Sequence, residues 1–372
     1  MSNQHGEAVV LKPISEVAKY LKNMIPVDIP ETYALKPLFK SIASEEEIRS
    51  GVIAFRDFML LFCARLATDG HIYAKAPNKP SGTTDYPFLH NVTNLLVEIG
   101  YHGILTDTGK SLLVTELPSC IPTIDEKGKK KSPKIPASGK LDCLRFLTLC
   151  GFMFSGIDLD TKTHNSSETQ QIEVSYPGNP LLLKGLKALS VSDMELREGR
   201  RYWNDHNLLR CDFRLMKADE TDVLDYIKDI LHPLSEELQR FALELHRSYI
   251  EKGFTCVMMV RGDVCFAYSD IRKSKKVLST QDIYTQRVWA LSYSMRHGYC
   301  LLVRAKKLDK YKDVVDKFSP SLKEIIGKGY GCDRKLRNER CQGGCQGIRV
   351  PFDDSIIKIS KEIEIWLDNE IL

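Results

Sequence analysis

Three cysteines, Cys332, Cys341 and Cys345, sit in a stretch dense in glycine and arginine, GKGYGCDRKLRNERCQGGCQGIRVP, which spans 327–351. Thiols at the spacing C-x8-C-x3-C can hold a metal, join in a disulfide, or stay reduced in a turn. Glycines at 329, 331, 343, 344 and 347 let the backbone close tightly around an ion. Arg334, Lys335, Arg337 and Arg340 would lower the thiol pKa values and offset thiolate charge. A tetrahedral zinc needs a fourth ligand, and the segment MRHGYC offers Cys300, with His297 as the substitute. The metal reading is therefore a structural zinc on Cys332, Cys341, Cys345 and Cys300, stapling the carboxyl end to the preceding strands. The pattern lacks the C-x2-C pair of zinc ribbons. Reduced thiols in a glycine-rich turn and a redox or iron–sulfur role stay open beside zinc.

Other reactive groupings are weaker. DTGKS carries the Gly-Lys-Ser end of a phosphate-binding loop, but Gly103 precedes Gly109 by one residue too many, and the local order is helix then hairpin where strand then helix is needed. The same Asp107-Thr108-Gly109 matches an aspartic-protease signature, which requires a second carboxylate to share its proton. Asp and Gly are also what tight turns demand, so a hairpin turn is expected there. His297 and Cys300 flank Gly298 and are expected to bracket a hairpin turn, and RGD at 261–263 is read as another. ELREGRRYWNDHNLLR places Arg197, Arg200 and Arg201 beside Tyr202 and Trp203. Such a group can stack on bases, but it is read as a helix end where Arg packs along Trp. No catalytic residue is assigned.

The chain has 372 residues, enough for two or three domains. Its 43% hydrophobic and 27% charged content is that of ordinary globular proteins. With no long apolar run and no secretory leader pattern, a cytoplasmic protein without membrane contact is expected. The 11 cysteines are an odd number, and several lie in apolar segments, which disfavours a disulfide framework. Net charge is only +4, yet residues 251–350 hold 21 Lys and Arg against 10 Asp and Glu. A local positive field attracts phosphates or acidic partners. The candidate nucleic-acid contacts are Arg272, Lys273, Lys275, Lys276, Lys306, Lys307 and Arg334.

The elements that must position these residues follow from capping and periodicity. An amino-terminal arm, 1–45, contains a short helix. SEEEIRSGVIAFRDFMLLFCARLATDG opens with acids and closes on Gly70, as a capped helix does. Within 46–123 and again within 141–215, a helix ends at a glycine-aromatic pair, Gly100-Tyr101 and Gly151-Phe152, followed by a two-stranded hairpin. Between these units, TIDEKGKKKSPKIPASGK reads as an exposed basic connection over 124–140. From 220 to the end, FTCVMMV, VCFAYS, RVWALSYS and YCLLVRA are four strands of an antiparallel sheet, preceded by helices and closed by a terminal helix bearing Ile356, Ile359, Ile363 and Trp366.

A helix leading into a twisted hairpin resembles the recognition helix and wing of winged-helix domains, and the two units that do so cover residues 46–190. That resemblance implies DNA reading. The helix YPFLHNVTNLLVEIG, however, offers only the amides Asn91 and Asn94 and no Lys or Arg, so units that pack or dimerise are expected instead. The fold class expected is α+β: two helix-plus-hairpin, winged-helix-like units, then an antiparallel-sheet domain covered by helices. The function expected is that of a non-enzymatic regulatory or interaction protein, binding nucleic acid or an acidic protein through its basic residues, with a structural zinc as an optional part. The alternative is an enzyme or small-ligand protein with its pocket in the carboxyl-terminal sheet.

Overall fold

A computed structural model describes residues 10–80, 82–160, 171–196, 208–260, 263–272, 274, 276–328 and 347–371. The architecture is α+β with antiparallel sheets, as expected. Two compact units meet in the sequence between Thr221 and Asp222. Among the described residues no helix is long and apolar enough to cross a membrane.

In the amino-terminal unit, α1 (Ile14–Lys22) packs on α2 (Glu45–Tyr73), whose start is fixed by a reciprocal capping box between Ser44 and Glu47. Then come α3 (Pro87–His102), the hairpin β1 (Ile104–Leu105) and β2 (Ser111–Val114), a small hairpin β3 (Thr123–Ile124) and β4 (Lys130–Lys131), and α4 (Ala137–Leu149). A third hairpin, β5 (Met153–Ser155) and β6 (Ile172–Ser175), leads to α5 (Leu181–Val191). The strand order β1-β2-β6-β5 joins the first and third hairpins through their inner strands. Leu112 pairs with Val174 at that junction, both fully buried. The two helix-hairpin sequences thus share one sheet. The Asp107–Gly109 stretch is the turn between β1 and β2, with Gly109 at φ +66°.

Helix α5 is wedged between α2 and α3 because glycines remove the side chains that would hold them apart. A Cβ on Gly51 would lie 2.6 Å from the Gly185 nitrogen, and one on Gly100 would lie 2.8 Å from the Leu186 carbonyl oxygen. Phe58 meets Phe152 edge-on at 5.1 Å and Phe62 meets Phe146 at 5.2 Å, which ties α2 to the second helix-hairpin sequence.

The carboxyl-terminal unit begins with α6 (Val223–Leu231), capped by Asp222, and α7 (Glu236–Glu251). Its sheet has the order β11-β10-β9-β8-β7, every pair antiparallel: β7 (Thr255–Val260), β8 (Asp263–Ser269), β9 (Trp289–Ser294), β10 (Gly298–Val303) and β11 (Ile348–Pro351). The four expected strands are present. Helix α8 (Thr280–Gln286) connects β8 to β9, and α9 (Pro320–Lys328) precedes β11. Two carboxyl-terminal helices, α10 (Asp354–Ile357) and α11 (Ser360–Ile371), bury Ile356, Ile363, Trp366 and Leu367 completely.

Alternation gives this sheet two unlike faces. Val264, Phe266 and Tyr268 share one with Trp289, Leu291, Tyr293, Leu301 and Val303, as the register requires. Tyr249 of α7 packs edge-on against Trp289 at 5.1 Å, and Tyr268 stacks on Trp289 at 3.8 Å. The Tyr249 hydroxyl also donates to Asp368 of α11 at 3.1 Å. The opposite face is made of small residues, Cys265, Ala267, Ala290 and Cys300, with Leu302, and Tyr284 of α8 packs against it.

Candidate functional site

The register brings the ends of β8 and β10 to one end of the carboxyl-terminal sheet. Tyr268 at the end of β8 pairs with Trp289 at the start of β9, and Trp289 pairs with Val303 at the end of β10. The segments that leave β8 and β10 therefore emerge side by side, about 10 Å apart across two strand spacings. Arg272 and Lys276 lie on the first, Lys306 and Lys307 on the second.

These four side chains are not equivalent. Arg272 grips Asp270 with two bonds of 2.8 Å, donates a third to the Lys252 carbonyl at 3.0 Å, and lies over Phe254. Its charge is matched and its head clamps the end of α7. Lys276 is exposed, on a backbone steadied by Ser274, whose hydroxyl donates to the Lys276 carbonyl at 3.0 Å. Lys306 and Lys307 are set by Glu370 of α11, whose carboxylate accepts both backbone N–H groups at 3.0 and 3.3 Å and the Tyr311 hydroxyl as well. Glu370 is buried, and that burial holds its carboxyl above the usual range despite the donors. Lys273, Lys275, Arg334, Cys332, Cys341 and Cys345 lie outside the described residues, as do Arg261 and Gly262 of RGD and residues 197–207 of the Arg-Tyr-Trp cluster.

Of the four cysteines of the zinc reading, Cys300 alone lies among the described residues, as does its substitute His297. It is buried in β10 on the small-residue face, opposite Ser292 and Pro351. The same face carries a polar group that the sequence did not reveal. The Ser292 hydroxyl donates to Asp263 at 3.2 Å. Burial pushes the Asp263 carboxyl up, against the pull of Ser292, Arg349 and Arg287. Burial likewise pushes the Cys300 thiol to about 11, offset in part by Arg349, which also hydrogen-bonds it. His297, in the turn before β10, is lowered to about 4 by burial and then by the charges of Arg349 and Arg296.

Helix α8 closes one side of this group. The buried Arg287 lies over the Tyr284 ring at 4.2 Å and donates to the Tyr284 carbonyl at 2.9 Å, and the buried Arg304 donates to the Thr285 carbonyl. Chemically, Cys300 is a protonated thiol and His297 a neutral imidazole at neutral pH, so a metal at Cys300 would have to displace a proton. Each of the eight described cysteines is a free thiol. Among the described residues no group of three or more His, Cys, Asp or Glu could hold a metal ion. The signal that could have found the polar face is the alternation in WALSYS, where the large rings fall on one phase and Ala290, Ser292 and Ser294 on the other.

Compared with known proteins, the chain matches no family model, no curated protein and no solved structure at a significant level.

Proposed function

We propose that this is a regulatory or interaction protein that works by binding, and that its carboxyl-terminal unit receives a polyanion, nucleic acid before an acidic protein, at the end of the sheet where β8 and β10 finish. The observation that carries the reading is that β8 and β10 finish at one end of the sheet, through the pairing of Tyr268, Trp289 and Val303, and that the segments leaving them carry Lys276, Lys306 and Lys307. Arg272 is committed to Asp270 and serves as scaffold, and the reading assigns the contact to the exposed Lys276 and Lys306 together with the half-buried Lys307. Lysines meet phosphate as flexible point charges that track a backbone without reading sequence. The test is an anisotropy titration of fluorescein-labelled DNA at 50 mM salt. Saturable binding supports the reading, and its absence at this low ionic strength overturns it.

A second reading, a small-ligand site or enzyme pocket in the same sheet, is favoured by one observation: Asp263, Ser292, Cys300 and Arg349 interact with one another on the small-residue face. A carboxyl, a hydroxyl and a guanidinium together suit a small ligand that carries both a hydrogen-bond donor and an anionic group. Thermal shift with a panel of small carboxylates and phosphates tests it. A stabilisation of the wild type that Asp263→Asn abolishes would support it, and no shift with any of them would remove it.

A further inference from the structure

The lysine-rich connection between the two helix-hairpin sequences is an ordered β-ribbon. β3 and β4 pair Thr123 with Lys131 and Ile124 with Lys130. The turn between them is built by Asp125, whose carboxylate accepts the N–H groups of Lys127 and Lys129 at 3.0 and 2.9 Å, and by Gly128 at φ +75°, a conformation that suits glycine. The ribbon is rooted in the amino-terminal unit. The Ile135 N–H donates to the Ser119 carbonyl at 2.8 Å, the Ser119 N–H donates to the Glu98 carboxylate of α3 at 3.0 Å, and Ile135 is buried.

What the ribbon presents outward is unusual for a connection. Lys127, Lys129, Lys130, Lys131 and Lys134 are all exposed. Asp125 spends its carboxylate on the turn, and its contact with Lys131 is a long 3.9 Å in an open setting, where solvent screens it. Beside these cations Ile124 is 75% exposed and Ile121 is 40% exposed. A firmly anchored strand pair that holds an isoleucine in water among lysines has a surface suited to a partner that is anionic and offers apolar faces within reach.

We propose that this ribbon is a DNA-binding arm, entering the major groove of a duplex with its lysines on the flanking phosphates and Ile124 toward the base edges. The dimensions support a duplex: the B-form major groove is about 12 Å wide and admits a two-stranded ribbon, whereas the deep, narrow major groove of A-form RNA does not. An anionic membrane would satisfy the lysines but needs far more apolar area than two isoleucines for stable insertion. The inference deepens the nucleic-acid reading given above, yet it stands on a different unit and can fail separately.

The experiment compares wild type, a ribbon variant (Lys127→Gln, Lys129→Gln, Lys130→Gln), a separate Ile124→Ser variant, and a carboxyl-terminal variant (Lys276→Gln, Lys306→Gln, Lys307→Gln). Each is titrated with a 20-base-pair DNA duplex, the matching RNA duplex and vesicles containing 30% phosphatidylserine, with circular dichroism confirming the fold. The ribbon variant is expected to bind DNA at least 10-fold more weakly, with its salt slope reduced by about 2.7, or 0.9 for each lost phosphate contact. Ile124→Ser is expected to weaken DNA binding without changing that slope, and DNA is expected to bind more tightly than RNA. Wild-type affinity in the ribbon variant, equal ribbon-dependent binding of RNA, or binding of vesicles with no binding of DNA each overturns the proposal. If the ribbon variant loses affinity and the carboxyl-terminal variant does not, the arm stands and the sheet-end site falls; the reverse result does the opposite.

Discussion

Ser292 and Asp263, on neighbouring antiparallel strands, are joined by a hydrogen bond of 3.2 Å on the small-residue face of the carboxyl-terminal sheet. The hydroxyl favours the charged form of a carboxyl that burial disfavours. Ser292→Ala therefore removes a donor from a partly buried carboxylate and is expected to cost about 1–3 kcal/mol at pH 7. Because the donor matters most when Asp263 is ionised, the loss should be smaller at pH 3, where the carboxyl is neutral. Urea unfolding of both proteins at the two pH values measures this, and an equal loss at both would contradict the assignment.

His297 gives a second pH signature, in the same direction. Its folded pKa of about 4 lies below the ordinary value of 6.5, so the unfolded chain binds the proton more tightly than the folded one. The stability concerned is fully present above pH 6.5 and is lost as pH falls toward 4, by at most ~3 kcal/mol. His297→Gln lacks that titration. The wild type should lose stability relative to the variant across this window, whereas parallel pH curves would show that the imidazole is not buried as described.

The close approach of α2 and α5 predicts a steep cost for a single methyl group. In Gly185→Ala the new Cβ would fall within 2.5 Å of the Val52 nitrogen, against backbone that a rotamer change cannot relieve. A destabilisation of about 1–3 kcal/mol is expected. A thermal midpoint unchanged from wild type would mean that the helices are further apart.

The zinc proposal, on Cys332, Cys341, Cys345 and Cys300, is checked by elemental analysis of the purified protein. One zinc per chain, lost in Cys341→Ser and in Cys300→Ser, is the expected result. A metal-free wild type, or zinc retained in Cys300→Ser, would remove the site or its fourth ligand respectively. Since Cys300 must give up a proton to bind, zinc affinity should fall as pH is lowered.

Much of the fold was legible because local pattern and tertiary environment agree. The strands β7 to β10 are apolar runs bounded by turn residues, and Ser44 with Glu47 announces the start of α2. Other elements were hidden for identifiable reasons. LLLKGLKALSV forms α5 with Lys184 and Lys187 on its less buried side, but the segment is short and Gly185 argues against helix until its packing role is known. IRVP becomes β11 because β10 offers an edge to pair with, which no local propensity encodes. The ribbon β3–β4 has no apolar alternation, and turn chemistry at Asp125 and Gly128 holds it instead. Asp263 read as part of an RGD turn because its partner Ser292 is 29 positions away and meets it only through strand register. Arg272 counted as a free cation in the sequence, since nothing there weighs its pairing with Asp270 against solvent exposure.

The central claim, a polyanion held by Lys276, Lys306 and Lys307, is tested most directly by the salt dependence of duplex binding in the Lys276→Gln, Lys306→Gln, Lys307→Gln variant beside the wild type. Three phosphate contacts correspond to a slope of about −2.7 in log affinity against log salt, or roughly 40-fold weaker binding between 50 and 200 mM. The account predicts that the variant loses this component of the wild-type slope and binds more weakly at every salt concentration. Superimposable curves for the two proteins would contradict it.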